Sequence, residues 1–163
     1  MLPVLAFNKQ DRRYFIKSGL AVGLYSFLPF KNLKIMNPKG VSIRQSAYSV
    51  KESIDRLQAF LQKHGATVYS RIDQQNEALN AGLNLSPLEF ILFGNPIAGV
   101  PIMVENPLAA LDLPLKIIAW EDNQKKVWLA FNDAVYIEDR YSLNHSPNSP
   151  LALDQLIEKA LEK

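Results

Sequence analysis

The sequence predicts an α+β domain, and three observations support it. Val50, Ile54, Leu57 and Leu61 recur at helical spacing, so residues 50–64 form an amphipathic helix. Two apolar runs, 115–120 and 127–131, flank the polar segment Glu121-Asp122-Asn123-Gln124-Lys125-Lys126, the pattern of an antiparallel hairpin. Helical and strand patterns are interleaved around that hairpin, which is how α+β chains read.

Taken in order, residues 41–47 alternate weakly and form a first strand. Ser49-Val50-Lys51-Glu52 is a capping box, with the Ser49 hydroxyl and the Glu52 carboxylate each accepting from an otherwise unpaired backbone N–H. Gly65 ends that helix. Residues 66–72 alternate again as a strand. Asp73 then caps a short helix, 74–81, closed by Gly82. Leu88-Glu89-Phe90-Ile91-Leu92-Phe93 is a compact apolar run read as a central strand, ended by Gly94-Asn95-Pro96. Pro96, Pro101, Pro107 and Pro114 restrict 96–114 to short helical turns. Asn132-Asp133 opens a helix over 134–141. Beyond a Ser/Pro/Asn loop at 144–150, Ser149-Pro150 starts a last helix with Leu153, Leu156, Ile157, Ala160 and Leu161 as its buried stripe.

The charge is unevenly spread. Residues 1–36 hold Lys9, Arg12, Arg13, Lys17, Lys31 and Lys34 against Asp11, a net +5, whereas residues 37–163 hold 12 basic and 15 acidic side chains, a net −3. The basic character therefore belongs to the N-terminal segment. The rest has no Lys/Arg cluster to meet a phosphate backbone, which argues against a nucleic-acid partner. The chain has no cysteine, which removes disulfides, thiolate metal sites and a cysteine nucleophile together.

Asp11-Arg12-Arg13-Tyr14-Phe15-Ile16-Lys17 resembles the twin-arginine export motif, with Arg12, Arg13, Phe15 and Lys17 at its characteristic positions and Asp11 where Ser or Thr is usual. The apolar stretch 18–30 follows. As a helix it spans about 20 Å at ~1.5 Å per residue, against a hydrocarbon core of ~30 Å, which suits a signal segment better than a membrane span. Residues 1–36 are thus expected to be an export signal handled by the twin-arginine translocase, delivering a periplasmic protein. No small-x-small cleavage site stands between Phe30 and Gly40, so the segment is either cut at an atypical site or kept as a membrane tether.

From Arg71 onward come Arg71-Ile72-Asp73-Gln74, Ala81-Gly82-Leu83-Asn84-Leu85-Ser86-Pro87, Phe93-Gly94-Asn95-Pro96, Gly99-Val100-Pro101-Ile102-Met103, Ala110-Leu111-Asp112-Leu113-Pro114-Leu115-Lys116, Trp120-Glu121-Asp122 and Val127-Trp128-Leu129-Ala130-Phe131-Asn132-Asp133. This run resembles the domain-of-unknown-function family 302, over roughly residues 42–143. The resemblance divides the chain into the leader (1–36), that domain (37–143) and a loop with a C-terminal helix packed on it (144–163). It implies a curved antiparallel sheet with helices packed on one side, similar to the TATA-box-binding-protein-like fold. It also implies a homodimer, and no settled activity. Gln74 stands where the family often has histidine, which removes the basis for histidine chemistry or metal ligation there. Leu88 stands where threonine is usual.

Polar residues at strand ends and loops are the candidate site. Asp112 and Lys116, with Asp73, are candidates for catalysis, because acid–base work needs a carboxylate beside a lysine or a second carboxylate. Asn95, Trp120, Glu121, Asn132 and Asp133 are candidates for binding a ligand. Each has a structural alternative: Asp73 and Asp133 as helix caps, Asn95 shaping a turn, Glu121 in a solvated loop. His64 complements a helix C-terminus, and His145 lies in a polar loop. No histidine or carboxylate spacing marks a metal site, no glycine-rich phosphate cradle or Gly-x-Ser-x-Gly elbow occurs, and the cofactor is unknown. Three functions stay open: a non-enzymatic module binding a small-molecule ligand or a protein, a carboxylate–lysine enzyme, and a structural homodimeric module.

Overall fold

A computed structural model describes residues 38–147 and 149–162; the twin-arginine-type segment lies outside the described residues. The element order is β1 (Val41–Ser46), α1 (Val50–Lys63), β2 (Thr67–Asp73), α2 (Gln74–Asn80), β3 (Leu88–Gly94), α3 (Pro96–Glu105), a 3-10 turn (Pro107–Leu111), β4 (Leu115–Glu121), β5 (Val127–Asn132), α4 (Ala134–Tyr141) and α5 (Asp154–Leu161). The five strands form one open antiparallel sheet in the order β1-β5-β4-β3-β2. The first two strands are therefore the two edges, and α1 carries the chain from one to the other. The α+β class and the one-sided packing of helices follow the sequence expectation.

Period-two alternation sets the core. Ile91 and Phe93 of β3, Leu115, Ile117 and Ala119 of β4, and Val127, Leu129 and Phe131 of β5 all turn to the helix-bearing face and are buried. They meet Ile54, Leu57 and Leu61 of α1 and Ile157 of α5 in one cluster. Full burial of each Val, Leu, Ile or Phe among them contributes roughly 1.5–3 kcal/mol. The opposite face carries Phe90, Leu92, Ile118, Trp120 and Trp128, all half-buried.

Local chemistry fixes the helix ends. Ser49 accepts from the Glu52 N–H at 3.2 Å. The Glu52 carboxylate does not close the capping box; it accepts from Arg56 Nε one turn on, an i,i+4 ion pair competing with the backbone donor. Asp73, Asn95 and Asp133 cap α2, α3 and α4 in the same manner. α3 runs for ten residues, longer than the proline spacing suggests: Pro96 occupies its first turn, where no N–H is needed, and Pro101 lies in its interior, where one backbone hydrogen bond is forgone. α5 starts at Asp154, four residues later than Ser149-Pro150 implied. The Ser149 hydroxyl is instead used in a turn, accepting from the Leu151 N–H at 3.2 Å. Leu153, Ile157 and Ala160 are buried as expected, with Leu156 and Leu161 packed against them.

Candidate functional site

The sheet register separates the predicted site residues into two groups. Asp73 pairs with Glu89 at the start of β3, while Asn95 follows Gly94 at its end. At ~3.4 Å per residue the two lie roughly 20 Å apart along the strand. Asp73, Trp120 and Glu121 belong to one end of the sheet, because Leu88 pairs with Trp120. Asn95, Asp112, Lys116, Asn132 and Asp133 belong to the other, where Phe93 pairs with Leu115.

At that second end Asp112 is a hydrogen-bond hub. It accepts from Asn132 Nδ2 at 3.1 Å, from Tyr141 Oη at 2.6 Å and from Arg140 at 3.3 Å. The bond to the Asp112 carboxylate pushes the Tyr141 phenol above its ordinary value. Lys116 is exposed on the other face of β4, its ammonium 5.2 Å from the Phe90 ring. Asp133 is occupied as the cap of α4. At the first end, Glu121 pairs with Lys125 at 2.7 Å, and Trp120 faces Trp128 across the hairpin.

An apolar cavity lies at the Asn95 end, on the helix-bearing side. It holds about 400 Å³, inside the range of small-molecule sites. Its floor is Phe93 and Leu115, one wall is Ala98, Gly99, Ile102 and Met103 of α3, and the other is Leu61 of α1 and its C-cap His64 with Leu151 and Leu153. A β-bulge adds Tyr69. The β2–β3 register shifts between Val68 and Ser70, and the extra residue places the Tyr69 ring 3.5 Å from the Cβ position of Gly94. Asn95 stands at the rim, but its side chain is engaged by the Ile97 N–H at 2.9 Å. His64 pairs through Nδ1 with the Phe60 carbonyl at 2.8 Å and stacks on the Phe60 ring at 4.0 Å. Among the described lining residues the ionisable side chains are His64 and Tyr69, so the cavity itself has no carboxylate–lysine pair. Among the described residues, no group of three or more His, Asp or Glu is disposed to hold a metal ion.

A second polar cluster lies under α1. Arg71 of β2 donates to Glu89 of β3 and, at 2.6 Å, to Asp55 of α1, which Lys51 also meets at 2.8 Å. Glu89 is buried; its bond raises the Arg71 guanidinium further above its ordinary value. Bonds from Lys51 and Arg71 hold the Asp55 carboxyl below its ordinary value. The sequence signal for this cluster was Glu89 itself. It shares the parity of Ile91 and Phe93, so a half-buried β3 turns it inward, and a buried carboxylate requires a cation.

An open antiparallel sheet with helices on one face, enclosing an apolar cavity at the end of its central strands, defines a one-sheet α+β domain with a small-molecule-sized site. The family described as "Domain of unknown function DUF302" matches residues 42–163, and the chain belongs to that family. The match continues through 144–163, beyond the resemblance read over roughly residues 42–143. A crystal structure of an uncharacterized conserved protein DUF302 from Bacillus stearothermophilus has the same fold, with a TM-score of 0.62 at 16% identity, covering 76% of this chain and 96% of that one. Two curated relatives, a fluoride-specific ion channel FluC 1 from Brucella suis and another from Brucella abortus, are each 41% identical over 107 residues, 66% of this chain. The chain spans about two-fifths of the length of these relatives, 42% and 40%.

Proposed function

We propose that this protein is a non-enzymatic binding module that holds a small apolar molecule in the cavity between α1, α3 and the β3–β4 end of the sheet. The observation that carries this is the 400 Å³ cavity itself, lined mainly by aliphatic and aromatic side chains. Of its polar lining groups, Asn95 caps α3 and His64 Nδ1 holds a backbone carbonyl, and the described lining carries no carboxylate or lysine. Binding needs only shape and apolar area from such a site, whereas proton transfer needs a free acid or base within reach of the substrate.

The reading includes export through the segment bearing Arg12, Arg13, Phe15 and Lys17, and work at or beyond a membrane. The Brucella relatives support the membrane setting: they are channels, and the matched residues account for only part of them. No described helix is long and apolar enough to cross a membrane. We read the shared stretch as an accessory domain rather than the pore. A homodimer is also part of the proposal. The half-buried sheet face bearing Phe90, Ile118, Trp120 and Trp128 measures about 24 by 23 Å from strand spacing and rise, roughly two-thirds of the ~800 Å² that each side of a stable interface buries, and is the broadest apolar seat for a second copy that the sheet offers.

Native mass spectrometry of protein recovered from the periplasm tests the binding role. A retained small molecule released by organic solvent is the expected result; only the bare polypeptide mass would count against it. Replacing Arg12 and Arg13 by lysine is expected to leave the protein in the cytoplasmic fraction, and unchanged fractionation would remove the export step.

A further inference from the structure

We propose that the outer face of α3, continued by the 3-10 turn, is a membrane-docking surface that seats in the interfacial layer of a lipid bilayer. This goes beyond the cavity reading and stands or falls separately from it.

No charged side chain occurs from Pro96 to Val104. Ala98, Gly99, Ile102 and Met103 line the cavity. Ile97, Val100 and Val104, at i, i+3 and i+7, form another face and are 87%, 49% and 77% exposed. Leu108 and Leu111, eclipsed on the 3-10 turn, are 64% and 74% exposed. These are five of the ten large apolar side chains exposed among the described residues, gathered in fifteen residues of chain. A helix that is apolar on all sides is a buried helix. Here the inward half is half-buried around the cavity, and no described residue covers the outward half.

The size of the patch selects the occupant. Ten residues of α-helix are ~15 Å long and ~10 Å wide, and the 3-10 turn adds ~10 Å of length. The footprint is roughly 250 Å², about a third of the ~800 Å² that each side of a stable protein interface buries. It is too small for a second copy, for which the sheet face is better dimensioned. Interfacial insertion needs no such area, because a few apolar side chains enter the headgroup–acyl boundary. Charge then fixes the lipid dependence. Glu105 adjoins the patch and residues 37–163 carry a net −3, so the attraction is apolar and needs no anionic lipid.

The absence of native cysteine allows a direct test on the full chain. Val100→Cys and, at the far hairpin, Gln124→Cys each carry an environment-sensitive fluorophore and are mixed with phosphatidylcholine vesicles. The expected result is a blue shift at position 100, quenched by lipid-chain spin labels and unchanged in high salt, with no shift at position 124. Replacing Ile97 and Val104 by serine in the labelled chain is expected to lower the partition coefficient reported by that shift more than about tenfold. Vesicle binding without a response at position 100 means that another segment makes the contact, and it overturns the proposal. So does a shift at position 100 that grows with protein concentration in the absence of lipid, which identifies a second copy as the occupant. Both serine substitutions are at exposed positions, and unchanged circular dichroism confirms that the fold is intact.

Discussion

Arg71 on β2 and Glu89 on β3 form an ion pair beneath α1, with Glu89 buried and Arg71 reaching on to Asp55. The pair joins an edge strand to its neighbour and both to the helix. Replacing Glu89 by alanine leaves a partly buried guanidinium without its inward partner. A loss of about 2–3 kcal/mol is expected, below the figure for a fully buried pair because Arg71 keeps some solvent contact and Asp55. Replacing Arg71 by methionine and Glu89 by leucine together is expected to recover most of it. Urea denaturation of the single and double variants measures both.

Asp122 and Trp128 provide a pH reporter. The indole N–H donates to the Asp122 carboxylate at 2.8 Å, and this bond, followed by that from the Lys126 backbone N–H, holds the carboxyl below its ordinary value. A depressed carboxyl contributes its stabilisation above the unfolded value of about 3.9 and loses it as pH falls through the folded value. In a Trp120→Phe background, Trp128 fluorescence is expected to titrate with a midpoint below 3.9. Asp122→Asn should abolish that step while far-UV circular dichroism stays constant.

Gly40 has φ of +78°, and a Cβ there would fall 2.1 Å from the Tyr136 ring. Gly40→Ala combines left-handed strain with overpacking and is expected to cost about 2–4 kcal/mol. Gly65 has the same φ with nothing within 4 Å, so Gly65→Ala is expected to cost only about 1 kcal/mol. Truncating Tyr136 to alanine should relieve Gly40→Ala and leave Gly65→Ala unaffected. Thermal denaturation of the three single variants and the two double variants with Tyr136→Ala measures the coupling.

Most of the fold was legible in the sequence because its elements are locally determined. Val50, Ile54, Leu57 and Leu61 mark the buried stripe of α1, and the hairpin between β4 and β5 is a contiguous pattern. The helix caps at Ser49, Asp73 and Asp133 were legible for the same reason. The buried stripe of α5 was legible but its start was not, because Pro150 fits a turn as well as a first helical position, and the choice depended on burial of Leu151 and Leu153. The candidate residues were polar groups chosen at strand ends and loops, and only the register separates Asp73 from Asn95. The cavity could not be read at all: Leu61, Phe93, Gly99 and Leu153 meet only after the sheet and both helices are assembled.

The cavity is where the proposed function is most directly exposed to test. Gly99 lines it on α3, and a Cβ there meets nothing within 4 Å, so Gly99→Phe can occupy the space without loss of helix propensity. The decisive measurement is fluorescence titration of wild type and Gly99→Phe with the neutral apolar probe N-phenyl-1-naphthylamine, alongside their melting temperatures. Saturable one-to-one binding by wild type, weakened at least about tenfold in Gly99→Phe with the melting temperature maintained, is the expected result. No saturable binding by wild type, or equal binding by the two proteins, would contradict the assignment of a ligand to this cavity.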